Sequence, residues 1–183
     1  MKHSIVFTGH MIDDNEREVP RFPANKESLV RDEVLRQLVD EKTTNKLITG
    51  IAGGACGGDI LFHELCDEIG IISEMYLALP VDEYKKQSVS FAGPGWDVRF
   101  DRLAQKLPVH ILPLEKNNNV QENLWAATNL WMLEHANEGE GKNMTLLALW
   151  DGKGGDGNGG TEHMINTAKT KGAKINIINI NKL

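Results

Sequence analysis

The chain is poor in several things at once, and each shortage removes a class of protein. Only 2 of its 183 residues are cysteine. Cys56 and Cys66 stand ten positions apart with no CxxC pairing, so a disulfide scaffold is not how this chain holds itself together. The residues read as two reduced, partly buried thiols, with a disulfide or a metal site as the alternatives. Aromatic residues make up 6% of the chain and prolines number six, which leaves no proline-rich or aromatic-repeat architecture. Basic residues do not dominate: 20 Lys and Arg stand against 26 Asp and Glu, for a formal net charge of −6. General affinity for a nucleic-acid backbone is therefore not expected. No apolar run approaches eighteen residues, and "MKHSIVFTGH" turns polar too early for a signal peptide. The expectation is a cytoplasmic protein that does not enter a membrane. His3, His63, His110, His135 and His163 lack the pairwise spacing of a zinc site, so no metal is expected.

What the chain does have is an ordinary globular composition, 40% apolar and 25% charged, with 18 glycines. Its length suits one domain with a proper core. Short β-rich or apolar runs alternate with helical patterns. "SIVFTG" (4–9) reads as a first strand, followed by a polar surface loop containing Pro20 and Pro23. Residues 26–42 place Leu29, Val30, Val34, Leu35 and Leu38 at helical spacing. A second strand (46–54) runs into glycines, and 59–70 is a helix ended by Gly70. Strands at 74–80 and 109–114 flank a helix over 95–107. A long amphipathic helix spans 119–138, then come a strand (143–152), a helix (160–172) and a last strand (174–180). This alternation requires crossover connections and a mainly parallel sheet: a single Rossmann-like, three-layer α/β/α sandwich without repeats or linkers.

In such a sheet, ligands sit beyond the carboxyl ends of the strands. Three glycine-rich stretches share that position: "FTGH", "GIAGGACGGD" and "WDGKGGDGNGGTEH". Glycine lets a ligand approach backbone amides, and a helix N-terminus adds unpaired N–H donors and a positive dipole end. Either the glycines serve turn geometry alone or they wrap a phosphate-bearing ligand. None of the three fits the dinucleotide fingerprint or the P-loop, so no separate cofactor is expected.

Those stretches, with "LPVDEYKKQSVSFAGPGWDVRF" and "NLWML" between them and in the same order, resemble the SLOG superfamily. That Rossmann-like group includes the lonely-guy hydrolases, the Smf/DNA-processing proteins and nucleotide-sensing domains. The resemblance implies a sensor-like subgroup member binding a nucleotide or nucleotide-derived ligand. It implies that Thr8, Gly9 and His10 flank the ligand, that Gly53, Gly54, Gly57 and Asp59 form a second wall, and that Gly159, Gly160 and Thr161 cradle a phosphate. It also implies a homo-oligomer and an effector that is either a separate protein or part of a longer chain from which this domain was cut. The hydrolase members carry a Glu three positions after the Thr of their glycine motif, and here that position is Met164. Glu162 is then the nearest stand-in, and Glu162 and Asp59 are the catalytic candidates of the alternative reading, an N-glycosidic hydrolase or transferase acting on nucleoside monophosphates.

The remaining candidates come from residue chemistry. Asp59 opens a helix after two glycines, so it is an N-cap, a ligand contact, or both. Ser88 and Arg99 are side-chain phosphate partners, since a guanidinium grips an oxyanion bidentately. Asn129, a polar residue on an amphipathic helix, must bond something if it faces inward. Asp151 and Gly152 follow the fifth strand, where Asp151 can accept from a ribose hydroxyl. The helix 119–138 holds more apolar residues (Leu124, Trp125, Leu130, Trp131, Leu133) than one core-facing stripe needs, which points to a partner surface.

Overall fold

A computed structural model describes residues 2–14, 16–113, 123–137, 143–154 and 160–183. Six strands alternate with six helices: β1 (His3–Gly9), α1 (Glu27–Thr44), β2 (Ile48–Ala52), α2 (Gly58–Glu68), β3 (Ile72–Leu77), α3 (Val81–Ser88), α4 (Pro94–Lys106), β4 (Val109–Ile111), α5 (Leu124–Ala136), β5 (Met144–Trp150), α6 (Thr161–Thr170) and β6 (Lys174–Asn179). The strands form one sheet in the order β4-β3-β2-β1-β5-β6, and every pairing is parallel. The chain steps outward from β1 to β4, then returns to lay β5 on the other side of β1. The topological switch therefore falls between β1 and β5.

The strands are apolar on both faces because helices cover both. Alternation along β1 sends Ile5 and Phe7 into the layer under α1, α2 and α4, with Val30, Leu38, Phe62 and Phe100. Val6 points the other way, into the layer under α5 and α6, with Met132, Leu133, Met164 and Ile165. β5 repeats the division, with Leu147 and Leu149 on the first side and Leu146 and Ala148 on the second. The period-2 geometry of a strand produces this split. Both cysteines are free and fully buried. Burial pushes the Cys56 thiol up to about 12 and raises Cys66 further still, so both stay protonated.

Residues 81–88 form α3, a helix that the sequence reading does not assign. Its lone large apolar residue, Tyr84, is too little for a periodic pattern, yet that residue is buried against Phe100. On α5, the apolar residues Leu124, Trp125, Leu130 and Trp131 are half-buried. The helix is apolar nearly all round, but none of its apolar side chains is among the exposed ones. Trp125 packs on Tyr84 with ring centroids 5.4 Å apart, and Trp131 packs edge-on against Tyr76 at 4.7 Å. The outer turns of the expected 119–138 helix lie outside the described residues.

No described helix is long and apolar enough to cross a membrane. Among the described residues, no group of three or more His, Cys, Asp or Glu is placed to hold a metal ion.

Candidate functional site

A cavity of about 550 Å³ opens at the carboxyl ends of the central strands, across the β1/β5 switch point. Among the residues expected at a site, it collects Thr8, Gly9 and His10 from β1 and its exit, and Gly53 and Asp59 from the β2–α2 connection. Ser88 comes from α3, Asn129 from α5, and Gly160 and Thr161 from the start of α6. The sheet order brings these together although they span over 150 positions of sequence.

The β2–α2 wall is fixed from behind. The His63 imidazole, fully buried, bonds the Gly53 carbonyl at 2.8 Å through Nε2 and the Ser73 hydroxyl at 2.9 Å through Nδ1. Burial holds its pKa down to about 4, so it is neutral and positions the loop rather than titrating in the neutral range. Gly54 donates its N–H to the Tyr84 hydroxyl at 3.1 Å, and Phe100, Met75 and Leu77 leave no room for a side chain on it. Gly54 therefore packs behind the wall instead of lining it. Gly57 also lies outside the cavity. Its φ of +98° and the approach of the Ile12 nitrogen to within 2.6 Å of where a Cβ would stand make it a packing requirement.

Asp59 departs from the N-cap expectation. Gly57 is the N-cap of α2, without a side-chain hydrogen bond, and Asp59 sits inside the first turn. Its carboxylate turns back to accept the Ala55 N–H at 3.2 Å. Desolvation on this wall, only partly offset by that one bond, pushes its pKa up to about 7. A carboxyl group that is half protonated near neutrality on a cavity wall can donate as well as accept.

At the β1/β5 end, His10 Nε2 accepts the Asp151 N–H at 3.1 Å and lies 3.3 Å from the Asp151 carboxylate. Burial lowers the His10 pKa against the pull of Asp151. The neutral imidazole with its proton on Nδ1 satisfies that geometry. Burial also opposes the Asp151 carboxylate, but the Lys153 N–H and His10 outweigh it and hold its pKa below the ordinary range. Asp151 thus orients His10 and does not itself line the cavity. Gly152 has φ +82° with open space around it, so its glycine serves the turn. Gly160 caps α6 with no side-chain hydrogen bond, leaving the first N–H groups of that helix at the cavity rim. Gly159 lies outside the described residues.

Arg99 and Glu162 are not in the cavity. The Arg99 guanidinium lies on the outer side of α4, bonded to Glu64 at 2.6 and 3.0 Å and to Glu27 at 2.7 Å, and stacked over Trp96. It ties three helices together. Glu162 is exposed on α6, while Met164, two positions on, is fully buried in the apolar layer. Rotation of about 100° per residue turns Glu162 away from the wall that Thr161 occupies.

Several lining residues were not among the expected ligand contacts. Trp125, with the N-cap Asn123 beside it, closes the side near Tyr84, and Gln87 and Phe91 extend it. Arg17 and Arg21 come from the segment between β1 and α1, expected to be a surface loop. Pro20 and Pro23 bracket the fully buried Phe22, an apolar anchor that marks the segment as pinned rather than loose. A scan of protein-family models finds no family that matches the chain, and a search of curated proteins finds no match either.

Proposed function

We propose that this domain binds a nucleotide or nucleotide-derived ligand in the cavity at the β1/β5 switch point and acts as a sensor or signalling module of the SLOG type. The observation that carries the reading is the convergence, on one cavity, of Gly9, Gly53 and the uncapped α6 N-terminus at Gly160 and Thr161. Backbone donors of this kind suit a compact anion without any net positive charge on the protein. The cavity is large enough for a mononucleotide. Nothing in this reading uses a metal or a second cofactor. The ligand signal then passes to an effector.

One observation favours the hydrolase reading: Asp59, with its pKa near 7, suits a general acid or base for N-glycosidic cleavage of a nucleoside monophosphate. Against it, the position of the hydrolase glutamate is Met164 in the core, and Glu162 is exposed and off the cavity wall. Binding without turnover is the better reading. Homo-oligomer formation belongs to the same proposal, supported by the resemblance and by the half-buried apolar residues Leu124, Leu130 and Trp131 on α5.

Native mass spectrometry of freshly isolated protein tests the proposal. A co-purifying nucleotide, or stabilisation by added nucleoside monophosphates with no free base released, is the expected result. Base release at about one turnover per second or faster, abolished in Asp59→Asn, makes it a hydrolase instead. A protein that neither carries nor responds to any nucleotide removes the reading.

A further inference from the structure

We propose that the segment between β1 and α1 is the anion-holding wall of the cavity, with Arg17 and Arg21 gripping the phosphate of a phosphorylated ligand. This rests on the nucleotide reading above and assigns which end of the ligand lies where. In a chain of net charge −6, Arg17 and Arg21 are the sole Arg or Lys residues among the described residues that line the cavity. Both sit within one short stretch. Arg17 donates through Nε to the Val19 carbonyl at 3.1 Å, with the Asp13 carboxylate 3.4 Å from the same nitrogen, and among the described residues no bond is formed by its two terminal nitrogens. Those nitrogens are the fork that binds a phosphate bidentately.

The segment is built to hold these arginines still. Both Asp13 carboxylate oxygens accept the Arg21 N–H, at 3.1 and 2.9 Å, and one also takes the Phe22 N–H at 2.9 Å. The Asp13 N–H returns a bond to the Phe22 carbonyl. The Ile12 N–H bonds the Cys56 carbonyl, Met11 bridges to Gly57, and Ile12 and Phe22 are buried anchors. A preorganised cation loses little entropy when an anion arrives. Arg17 and Arg21 share the cavity lining with His10 at the β1 exit and with Gly160 and Thr161 at the start of α6. The opposite end, toward β2 and α3, is aromatic and amide-lined by Tyr84, Trp125 and Gln87. A charged group at one end and a flat, hydrogen-bonding group at the other describe a nucleoside phosphate lying across the strand ends.

Quenching of tryptophan fluorescence reads the site directly, because Trp125 and Trp150 both line it. The probes are adenosine and guanosine, their 5′-monophosphates and 5′-diphosphates, their 3′,5′-cyclic monophosphates, and inorganic pyrophosphate. In wild type, phosphorylated probes should bind more tightly than the nucleosides, with affinity that falls at high salt. Arg17→Gln and Arg21→Gln should each weaken the phosphorylated probes by about tenfold or more and leave the nucleosides unchanged. The order of 5′-monophosphate and cyclic monophosphate distinguishes a terminal phosphate from a bridging one. Arg17→Lys and Arg21→Lys, which keep the charge, should retain the salt dependence and guard against a folding artefact. Phosphorylated probes that bind wild type and both Gln variants equally would overturn the arginine assignment while leaving the cavity reading intact. Failure of every probe to bind wild type would overturn both.

Discussion

The two ends of the sheet carry polar clusters of opposite character. At the amino ends of the strands, Glu41 is buried and fully bonded. Its carboxylate takes Lys174 at 2.6 Å and the Thr145 hydroxyl at 3.2 Å, and His3 Nε2 lies 3.0 Å from that hydroxyl. At the carboxyl ends, among the described residues, Asp59 takes one backbone N–H, Arg17 keeps its Nε near Val19 and Asp13, and α6 has no side-chain N-cap bond. At the amino ends the polar groups bond one another, whereas at the carboxyl ends they line the cavity.

Breaking the partition between the two ends should have its largest effect where the carboxyl-end loops are locked together. Gly57→Ala puts a Cβ 2.6 Å from the Ile12 nitrogen at a φ of +98°. The expected loss is about 3 kcal/mol of stability, read as a lower urea midpoint. Because Gly57 holds the Arg17 and Arg21 segment against α2, phosphate response should fall with it. Second in size, Glu41→Ala at the other end should cost about 2 kcal/mol by stranding Thr145 and His3. It should leave ligand response untouched. A loss of ligand response in Glu41→Ala would show that the two ends are not independent.

Much of this architecture was legible beforehand, and the reason is burial. Parallel strands covered on both faces read as continuous apolar runs, so β1, β2 and β5 stood out, and the glycines at their ends gave the edge where the cavity lies. Arg99 misled because its partners, Glu64 and Glu27, come from other helices, and pairing between elements leaves no trace in local spacing. Arg17 and Arg21 were hidden for the converse reason. A segment held by one aspartate and one buried phenylalanine has no periodicity, so polarity alone suggests a loose loop. Trp125 was visible but reads equally well as core, and it is in fact packed on Tyr84 while also lining the cavity.

The third prediction sharpens the comparison by reversing a sign. Asp59 has its pKa raised from 3.8 to about 7 in the folded state. Its contribution is present at low pH and lost as pH rises from about 4 through 7. His63 runs the other way: its folded pKa is lowered from 6.5 to about 4, so its contribution is present above 6.5 and lost as pH falls toward 4. Between about pH 4 and 6.5 the two slopes oppose each other. Asp59→Asn keeps an acceptor for the Ala55 N–H and removes the ionisation cost. At pH 8 the variant should be more stable than wild type by about 1 to 3 kcal/mol, and its stability should climb with pH over 4 to 6.5. It should also bind ligand more weakly. Urea midpoints across pH would contradict this if wild type and variant ran parallel.

The smallest effect on stability belongs to Gly160→Val, and that smallness is its use. Gly160 has φ −77° and ψ 173°, extended backbone that a β-branched residue adopts without strain. It caps α6 with no side-chain bond, so the substitution removes no cap hydrogen bond. The isopropyl group, however, stands at the cavity rim in front of the first N–H groups of α6. An anion could no longer approach those donors closely enough for a hydrogen bond. A ligand at a hundred times its dissociation constant stabilises a protein by about 2.7 kcal/mol. Wild type should therefore melt at a visibly higher temperature with saturating nucleotide than without, whereas Gly160→Val should melt at the wild-type apo temperature in both cases. If the variant keeps the full shift, the α6 N-terminus contributes nothing to binding and the ligand is held by the β1–α1 and β2–α2 walls alone. If instead the apo melting temperature drops, Gly160 is a packing glycine like Gly57, and the contrast between the two ends no longer includes this helix.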